Sequence, residues 1–238
     1  MTATTLISRN ETSTDPATTV AASPVTAGSA FSPLLIMLSD PNGEQAEGIR
    51  AIRTHVMAQH VERGRRALAV CAPNRGVGCT FVAVNLAVSL SQIGVKTVLI
   101  DGDLHNPGVA NLIRPASPGG GLVACLGSQS AFSACIEHEV APNLSVMLAG
   151  QPAPNSSELL AGDRFQMLMD FCLRDFDMTI VDTPPANGSS DVRRISTVLG
   201  YSLIVAGANR TYVNDVRTLA EQLRSDHAKV LGTVLNQA

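Results

Sequence analysis

The sequence predicts an α/β domain, a parallel sheet flanked by helices on both faces. Three observations carry that reading. Short runs of Val, Ile, Leu and Ala recur at 67–71, 96–101, 144–148, 177–182, 202–206 and 229–235. They are apolar along their whole length, as strands covered on both faces must be. Helical patterns lie between several of them, clearest at 156–173 and 212–224, the alternation that a parallel sheet needs for its crossovers.

Composition bounds the rest. Of 238 residues, 45% are apolar and 16% charged, which excludes a wholly disordered chain. Seventeen Lys and Arg against 20 Asp and Glu leave a net charge of −3, so there is no global attraction for DNA or an anionic membrane. Aromatic residues are 3%, too few for stacking platforms on single-stranded nucleic acid. Cysteines 71, 79, 125, 135 and 172 form no C-x-x-C pair and read as free thiols of a reducing compartment. The longest apolar stretch, 82–100, is broken by Asn85, Ser89, Ser91, Gln92 and Lys96 and reads as helix, turn and strand rather than a membrane span. No basic segment followed by an apolar core marks a signal peptide.

The elements follow in chain order. Residues 1–30 hold eight Thr, four Ser and six Ala, a composition that cannot offset its ordering entropy. The expected organisation is therefore a disordered tail over 1–43 and a nucleotide-binding domain over 44–238. Within the tail, the apolar patch 31–38 (FSPLLIML) is expected to dock on the domain or on a partner. From 44 a helical pattern sets Ile49, Ile52, Val56 and Met57 on one face with charges opposite. Residues 78–93 form a helix apolar almost all round, hence buried.

Chemistry concentrates at strand ends. The first strand runs into Ala72-Pro-Asn-Arg-Gly-Val-Gly-Cys-Thr80 and a helix follows. That is the position of a phosphate-binding loop, where backbone N–H groups and a helix N-terminus meet an anion. Gly76 and Gly78 permit the tight path, and Thr80 can offer a hydroxyl to Mg²⁺. Against the pattern G-x-x-x-x-G-K-[ST], Pro73 takes the first position and Cys79 the lysine's. The second strand ends in Asp101-Gly-Asp103 and the fourth in Asp182. Carboxylates there face the crevice that binds ligands in open α/β sheets.

APNRGVGCTFVAVNLA (72–87), VLIDGDLHNP (98–107) and FDMTIVDTPP (176–185) resemble the Walker A, Walker A′ and Walker B segments of bacterial tyrosine autokinases. These are cytoplasmic ATP-binding modules of exopolysaccharide and capsule export. They belong to the deviant-Walker P-loop ATPases, alongside cell-division and plasmid-partition proteins. Glu47-Gly-Ile-Arg-Ala-Ile-Arg53 matches that branch's E-x-x-R-x-x-R helix. The stretch 150–160 resembles its Pro/Asn loop ending in Glu-Leu-Leu, with Ser156 in place of a proline, and 230–236 matches its last strand. The resemblance covers about 44–238.

It implies a P-loop NTPase fold of the deviant Walker type, with ATP and Mg²⁺ as cofactors. By the same token Asn74, Arg75, Gly76, Val77, Gly78, Cys79 and Thr80 cradle phosphates, and Asn236 lies near the adenine. Thr80, Asp103 and Asp182 hold the metal, and Asp101, Asp103 and Asp182 serve metal handling and nucleophile activation. Glu47, Arg50 and Arg53 reach a neighbouring subunit's site in a homo-oligomeric ring; by their spacing alone they form an oblique charged stripe that is equally a solvated face. The implied function is a tyrosine-kinase-like protein modulating polymerisation and chain length beside a membrane polysaccharide co-polymerase subunit. It would be cytoplasmic, held peripherally at the inner membrane through that partner, without nucleic acid. The alternative is a partition or positioning ATPase working on DNA or a membrane surface.

Several positions depart from the family. Cys79 replaces the loop lysine, Asn74 stands where partition-type ATPases carry their signature lysine, and His105 stands where an Arg is frequent. Arg75 either supplies the missing charge or is simply solvated. The family's tyrosine cluster has no counterpart in these residues, which end at Ala238. Tyr201 opens the fifth strand and Tyr212 is expected in the next helix with its ring packed, so weak kinase activity and negligible autophosphorylation are expected.

Overall fold

The computed structural model describes residues 29–153 and 155–237; the Thr/Ser/Ala-rich stretch 1–28 lies outside the described residues. The chain begins with β1 (Ala30–Phe31), α1 (Ile36–Ser39), α2 (Glu44–Gln59), β2 (Ala67–Cys71) and α3 (Cys79–Ser91). It continues through β3 (Thr97–Asp101), β4 (Ile113–Arg114), α4 (Gly121–Gly127), β5 (Glu137–Ala141) and β6 (Leu144–Met147). It ends with α5 (Ser156–Ala161), α6 (Asp163–Asp175), β7 (Met178–Asp182), α7 (Asp191–Leu199), β8 (Tyr201–Gly207), α8 (Val213–Ser225) and β9 (Lys229–Asn236).

Seven strands form one sheet in the order β5-β6-β3-β7-β2-β8-β9. The six strands read from the sequence pair in parallel from β6 to β9. Only β5 is antiparallel, at the edge against β6. Side-chain alternation splits the core in two. Leu68, Val70, Leu99 and Ile180 pack with α2 and α3 on one face. Ala67, Ala69, Val98 and Val181 pack with α4, α6 and α7 on the other. The parallel order brings the C-terminal ends of β3, β7 and β2 side by side, with Asp101 opposite Asp182 and Val70 opposite Asp182.

Several elements differ from expectation. The helix read over 156–173 is two helices, because Gly162 takes an extended conformation (φ −67°, ψ 157°) and restarts the chain as α6. Helix α7 went unread although Val192, Ile195 and Leu199 repeat on its buried face; nine residues carry little periodic signal. Strand β5 is hidden by its polar residues and by an irregular register around Glu139, whose φ is 51°. The pair β1–β4 has only two residues per strand.

Residues 30–43 pack on the domain. Phe31 pairs with Ile113, and Leu35 and Met37 are buried. The polar residues that interrupt α3 serve this docking. Asn85 Nδ2 donates to the Leu34 carbonyl at 3.2 Å, its Oδ1 accepts the Met37 N–H at 3.3 Å, and Gln92 Nε2 donates to the Met37 carbonyl at 3.0 Å. Among the described residues no helix is long and apolar enough to cross a membrane.

Behind β8, His60 is fully buried, its Nε2 2.8 Å from the Ala67 carbonyl and its Nδ1 without a partner among the described residues. Burial lowers its pKa from the usual 6.5 to about 4. A histidine held neutral in the fold but protonated when unfolded costs stability as pH falls. The denaturation midpoint should therefore drop as pH is lowered from 6.5 to about 4. His60→Gln should flatten that slope in urea titrations; an unchanged slope would place the acid sensitivity elsewhere.

Candidate functional site

The loop between β2 and α3 is shaped by two glycines in the left-handed region, Gly76 at φ 75° and Gly78 at φ 87°. A Cβ at Gly78 would also sit 2.1 Å from Asn236 Nδ2, which donates to the Val77 carbonyl at 3.0 Å. Position 78 therefore requires glycine on two counts, and β9 closes on the loop through Asn236. Because α3 starts at Cys79, its first backbone N–H groups have no intrahelical acceptor and face the loop's concavity.

Beneath the loop, Thr80 Oγ1 donates to Asp182 Oδ2 at 2.6 Å. Asp182 is 1% exposed, and its Oδ1 has no partner among the described residues. Burial first, then the charge of Asp101, pushes its pKa up to about 8. Asp101 is raised to about 6, also by burial. Its oxygens are engaged by backbone, Oδ1 by the Asp103 N–H at 3.2 Å and Oδ2 by the Gly108 and Val109 N–H groups at 3.0 Å. Asp101 thus shapes the loop after β3. Asp103 Oδ1 accepts from the N–H groups of His105 and Asn106.

A buried carboxylate oxygen without a partner, beside a hydroxyl, fits Mg²⁺, a hard cation that takes oxygen ligands and keeps several waters. Among the described residues no group of three or more His, Cys, Asp or Glu is placed to hold a metal by itself. The donor set is therefore one of hydroxyl and carboxylate, completed from outside the chain.

The Cys79 thiol lies under the loop, beside the Asp182 carboxyl. Its Sγ lies 3.3 Å from the Val70 carbonyl, and burial, reinforced by the Asp182 charge, raises its pKa well above the usual thiol value. It is a neutral thiol under the loop, not a phosphate ligand. Asn74 is occupied sideways, donating to Asp215 Oδ2 at 3.1 Å and accepting from Asn187 Nδ2. Arg75 is exposed on the lip; with the Asn106 amide turned to offer its oxygen, both guanidinium ends reach it at 2.9–3.0 Å.

Asn74 to Thr80, Asp101, Asp103, Asp182 and Asn236 therefore meet at one end of the sheet. Glu47, Arg50 and Arg53 do not join them. Arg50 is tied to Glu47 at 2.9 Å and to the Pro41 carbonyl at 2.7 Å. Arg53 donates to the carbonyl and hydroxyl of Ser89, each at 3.2 Å. Ser89 lies ten residues along α3 from Cys79, about 15 Å at the helical rise. His105 Nε2 lies 3.4 Å from Asp191 Oδ2. Tyr212, expected to be packed, is 78% exposed, because it precedes the first turn of α8 instead of lying within it.

Arg210 was missed. It follows β8, and its Nη1 donates to the Gly76 carbonyl at 3.0 Å. The residue type and the strand-end position were both visible; the adjacency of β8 to β2 was not.

A family model described as ParA, NUBPL iron-transfer P-loop NTPase, matches residues 64–238. The chain belongs to this ParA family of P-loop NTPases. Within it, the curated relatives that match include bacterial tyrosine kinases. The chain is 29% identical to CapB of Staphylococcus aureus, a candidate tyrosine-protein kinase, over 88% of this chain and 91% of that protein. It is 29% identical to the tyrosine-protein kinase Etk of Escherichia coli K12 over 84% of this chain, but spans only 28% of that longer protein. The solved kinase domain of Etk superposes with a TM-score of 0.80 over 86% of this chain and 80% of that one, at 29% identity. The chimerical protein CapA2B2 superposes with a TM-score of 0.78, at 29% identity, over 87% of this chain and 91% of that one.

A carboxylate whose pKa is raised in the fold favours the folded state while protonated and loses that advantage as pH rises through the raised value. The ligand-free chain should therefore lose stability as pH climbs from the ordinary carboxylate value of 3.8 to about 8, where Asp182 ionises, and this contribution should level off above that. Asp182→Asn, neutral throughout, should be more stable than the native chain above that pH in thermal melts. If both variants melt alike across the range, Asp182 is not the buried titrating group.

Proposed function

We propose that this chain is a Mg·ATP-binding, tyrosine-kinase-like module of an exopolysaccharide or capsule export system. In this reading it acts on polymerisation and chain length beside a membrane co-polymerase subunit, which holds it at the inner membrane. The observation that carries the proposal is the buried Thr80–Asp182 pair, one carboxylate oxygen unpartnered, beneath a glycine-shaped loop at a helix start. Kinship with tyrosine kinases of capsule and exopolysaccharide systems supports the choice of phosphoryl transfer over other P-loop chemistries.

The residues divide the work as follows. Backbone N–H groups of 75–80 bind the phosphates, and Asn236 fixes the loop from the nucleoside side. Thr80 and Asp182, with Asp103, would hold Mg²⁺, which would supply charge neutralisation to the phosphoryl groups. Asp101 keeps the 102–109 loop in place around Asp103. The acceptor is a tyrosine on a partner protein, whose hydroxyl proton passes to a carboxylate of this cluster as the γ-phosphoryl leaves ADP.

Kinase turnover is degraded in this proposal, because no lysine accompanies the γ-phosphoryl. The Arg50 and Arg53 helix serves assembly of a ring from its own chain. Calorimetric titration with Mg·ATP tests the nucleotide reading. Native chain should bind. Cys79→Lys should bind more tightly by about 1–3 kcal/mol, the scale for hydrogen bonds to charged groups, and should transfer phosphate faster to a tyrosine peptide. No binding by either form, with both folded, overturns the proposal.

A further inference from the structure

At the opposite end of the sheet lies a second built feature. A cleft of about 200 Å³ opens where β8 and β9 begin, lined among others by His55, Arg65, Tyr201, Lys229, Val230 and Leu231. Tyr201 and Lys229 are register partners at the starts of the two strands. The phosphate loop abuts the far end of β8, about 20 Å away at the rise of a strand. The two places are separate sites of one domain.

The lining carries one sign of charge. Arg65, Lys229 and His55 border the cleft, and no carboxylate does. Among the described residues none of the three has a carboxylate within ion-pair distance. In a chain whose net charge is −3 this is a local reversal. In the adjoining turn Arg63 and Arg66 lie exposed alongside Glu62, so the balance there is also positive.

The wall is also held in place. The Arg65 guanidinium lies 4.8 Å over the Tyr201 ring, and its Nη1 donates to the Gln59 carbonyl at 3.2 Å. That ring also meets His60 edge-on, with centroids 4.8 Å apart. His60 is anchored in turn to the Ala67 carbonyl. A guanidinium fixed on an aromatic face and an ammonium lining the same cleft together offer more donors than either alone. That suits an anion with several oxygens better than a planar carboxylate, which the guanidinium fork alone would satisfy.

We infer that the cleft between α2 and the starts of β8 and β9 binds a phosphoryl anion, with Arg65 and Lys229 as its ligands and Tyr201 as the platform that orients Arg65. The inference stands independently of the nucleotide reading. The phosphoryl group is either free or a monoester on a larger molecule, and Val230 and Leu231 supply an apolar wall for an ester's organic part.

The chain's two tyrosines make the test local. Tyr201 stands in this cleft, while Tyr212 lies two residues beyond Arg210, which touches the phosphate loop. Full chain carrying isotope-labelled tyrosine, assigned with Tyr212→Phe, is titrated at fixed ionic strength with inorganic phosphate, pyrophosphate and phenyl phosphate; chloride and acetate are controls. The Tyr201 ring signals should move saturably with the phosphoryl probes and not with the controls. Lys229→Gln should weaken that response roughly tenfold, and Arg65→Lys should weaken it while leaving Tyr212 as in the native chain. Tighter binding of phenyl phosphate than of phosphate assigns a monoester; equal binding assigns the free anion. Tyr201 signals that stay still, or that follow chloride or acetate equally, overturn the inference. Movement of Tyr212 alone reports the phosphate loop and overturns it too.

Discussion

Asp182 closes a central strand with almost no solvent around it, next to a second buried carboxylate on the neighbouring strand. Two acidic groups so placed resist ionising together, because desolvation costs several kcal/mol per ion and each charge opposes the other; a bound cation relieves both penalties. The surroundings accept this cost by close approach of backbone. A Cβ at Gly102 would lie 2.7 Å from the Asp182 carbonyl, and one at Gly108 2.9 Å from Thr80 Oγ1. The loops after β3 and β7 are therefore drawn tightly around the carboxylate, and the Thr80 hydroxyl satisfies only one of its oxygens. Parallel strand order makes this geometry possible, since it collects the C-terminal ends of β2, β3 and β7 at one edge.

The same end of the sheet explains several glycines and polar residues that composition alone leaves unaccounted for. Gly78 is required by its backbone angle and by Asn236; Asn236 sits where it does because β9 runs parallel beside β8 and stops level with the loop. On the back of the loop, buried α3 tolerates Asn85 and Ser89 because each meets a partner from an element packed over it, and exposed Gln92 just beyond its end does the same. Buried polar groups with partners cost little, whereas unpaired ones are expensive. The helix can therefore be apolar almost all round and still fix the 34–37 segment and Arg53 in place.

What the sequence made legible follows from burial on both faces. The six parallel strands show as unbroken apolar runs, and the three acidic residues at the ends of two of them stand out. Contacts made across chain distance were not legible. Arg210 reaches Gly76 across 134 positions, and Asn74 meets Asp215 across 141; only strand order decides such pairs. Short elements such as α7 and the bulged edge strand β5 lack the length for a period to emerge. Tyr212 was misjudged by a single position at a helix start, which is enough to move a ring from a packed face to solvent. The Arg50–Arg53 stripe was visible, but not that Arg53 would spend its donors on Ser89.

On the proposed reading, the loss of the loop lysine divides binding from turnover. The thiol at position 79 is turned down towards Val70, so nothing at that position follows the terminal phosphate. The positive charge near the loop belongs instead to Arg75 and Arg210. Both are tethered at the lip, one to Asn106 and the other to the Gly76 carbonyl. Charges fixed at the mouth attract a nucleotide in its ground state and in its transition state about equally. Interactions of that kind raise affinity without lowering the barrier to transfer, because only contacts that strengthen as the phosphoryl group moves accelerate the step. A loop with guanidinium groups on its rim and a neutral thiol at its base is thus suited to sensing a nucleotide more than to consuming it. The intact Thr80–Asp182 pair keeps that sensing dependent on the metal.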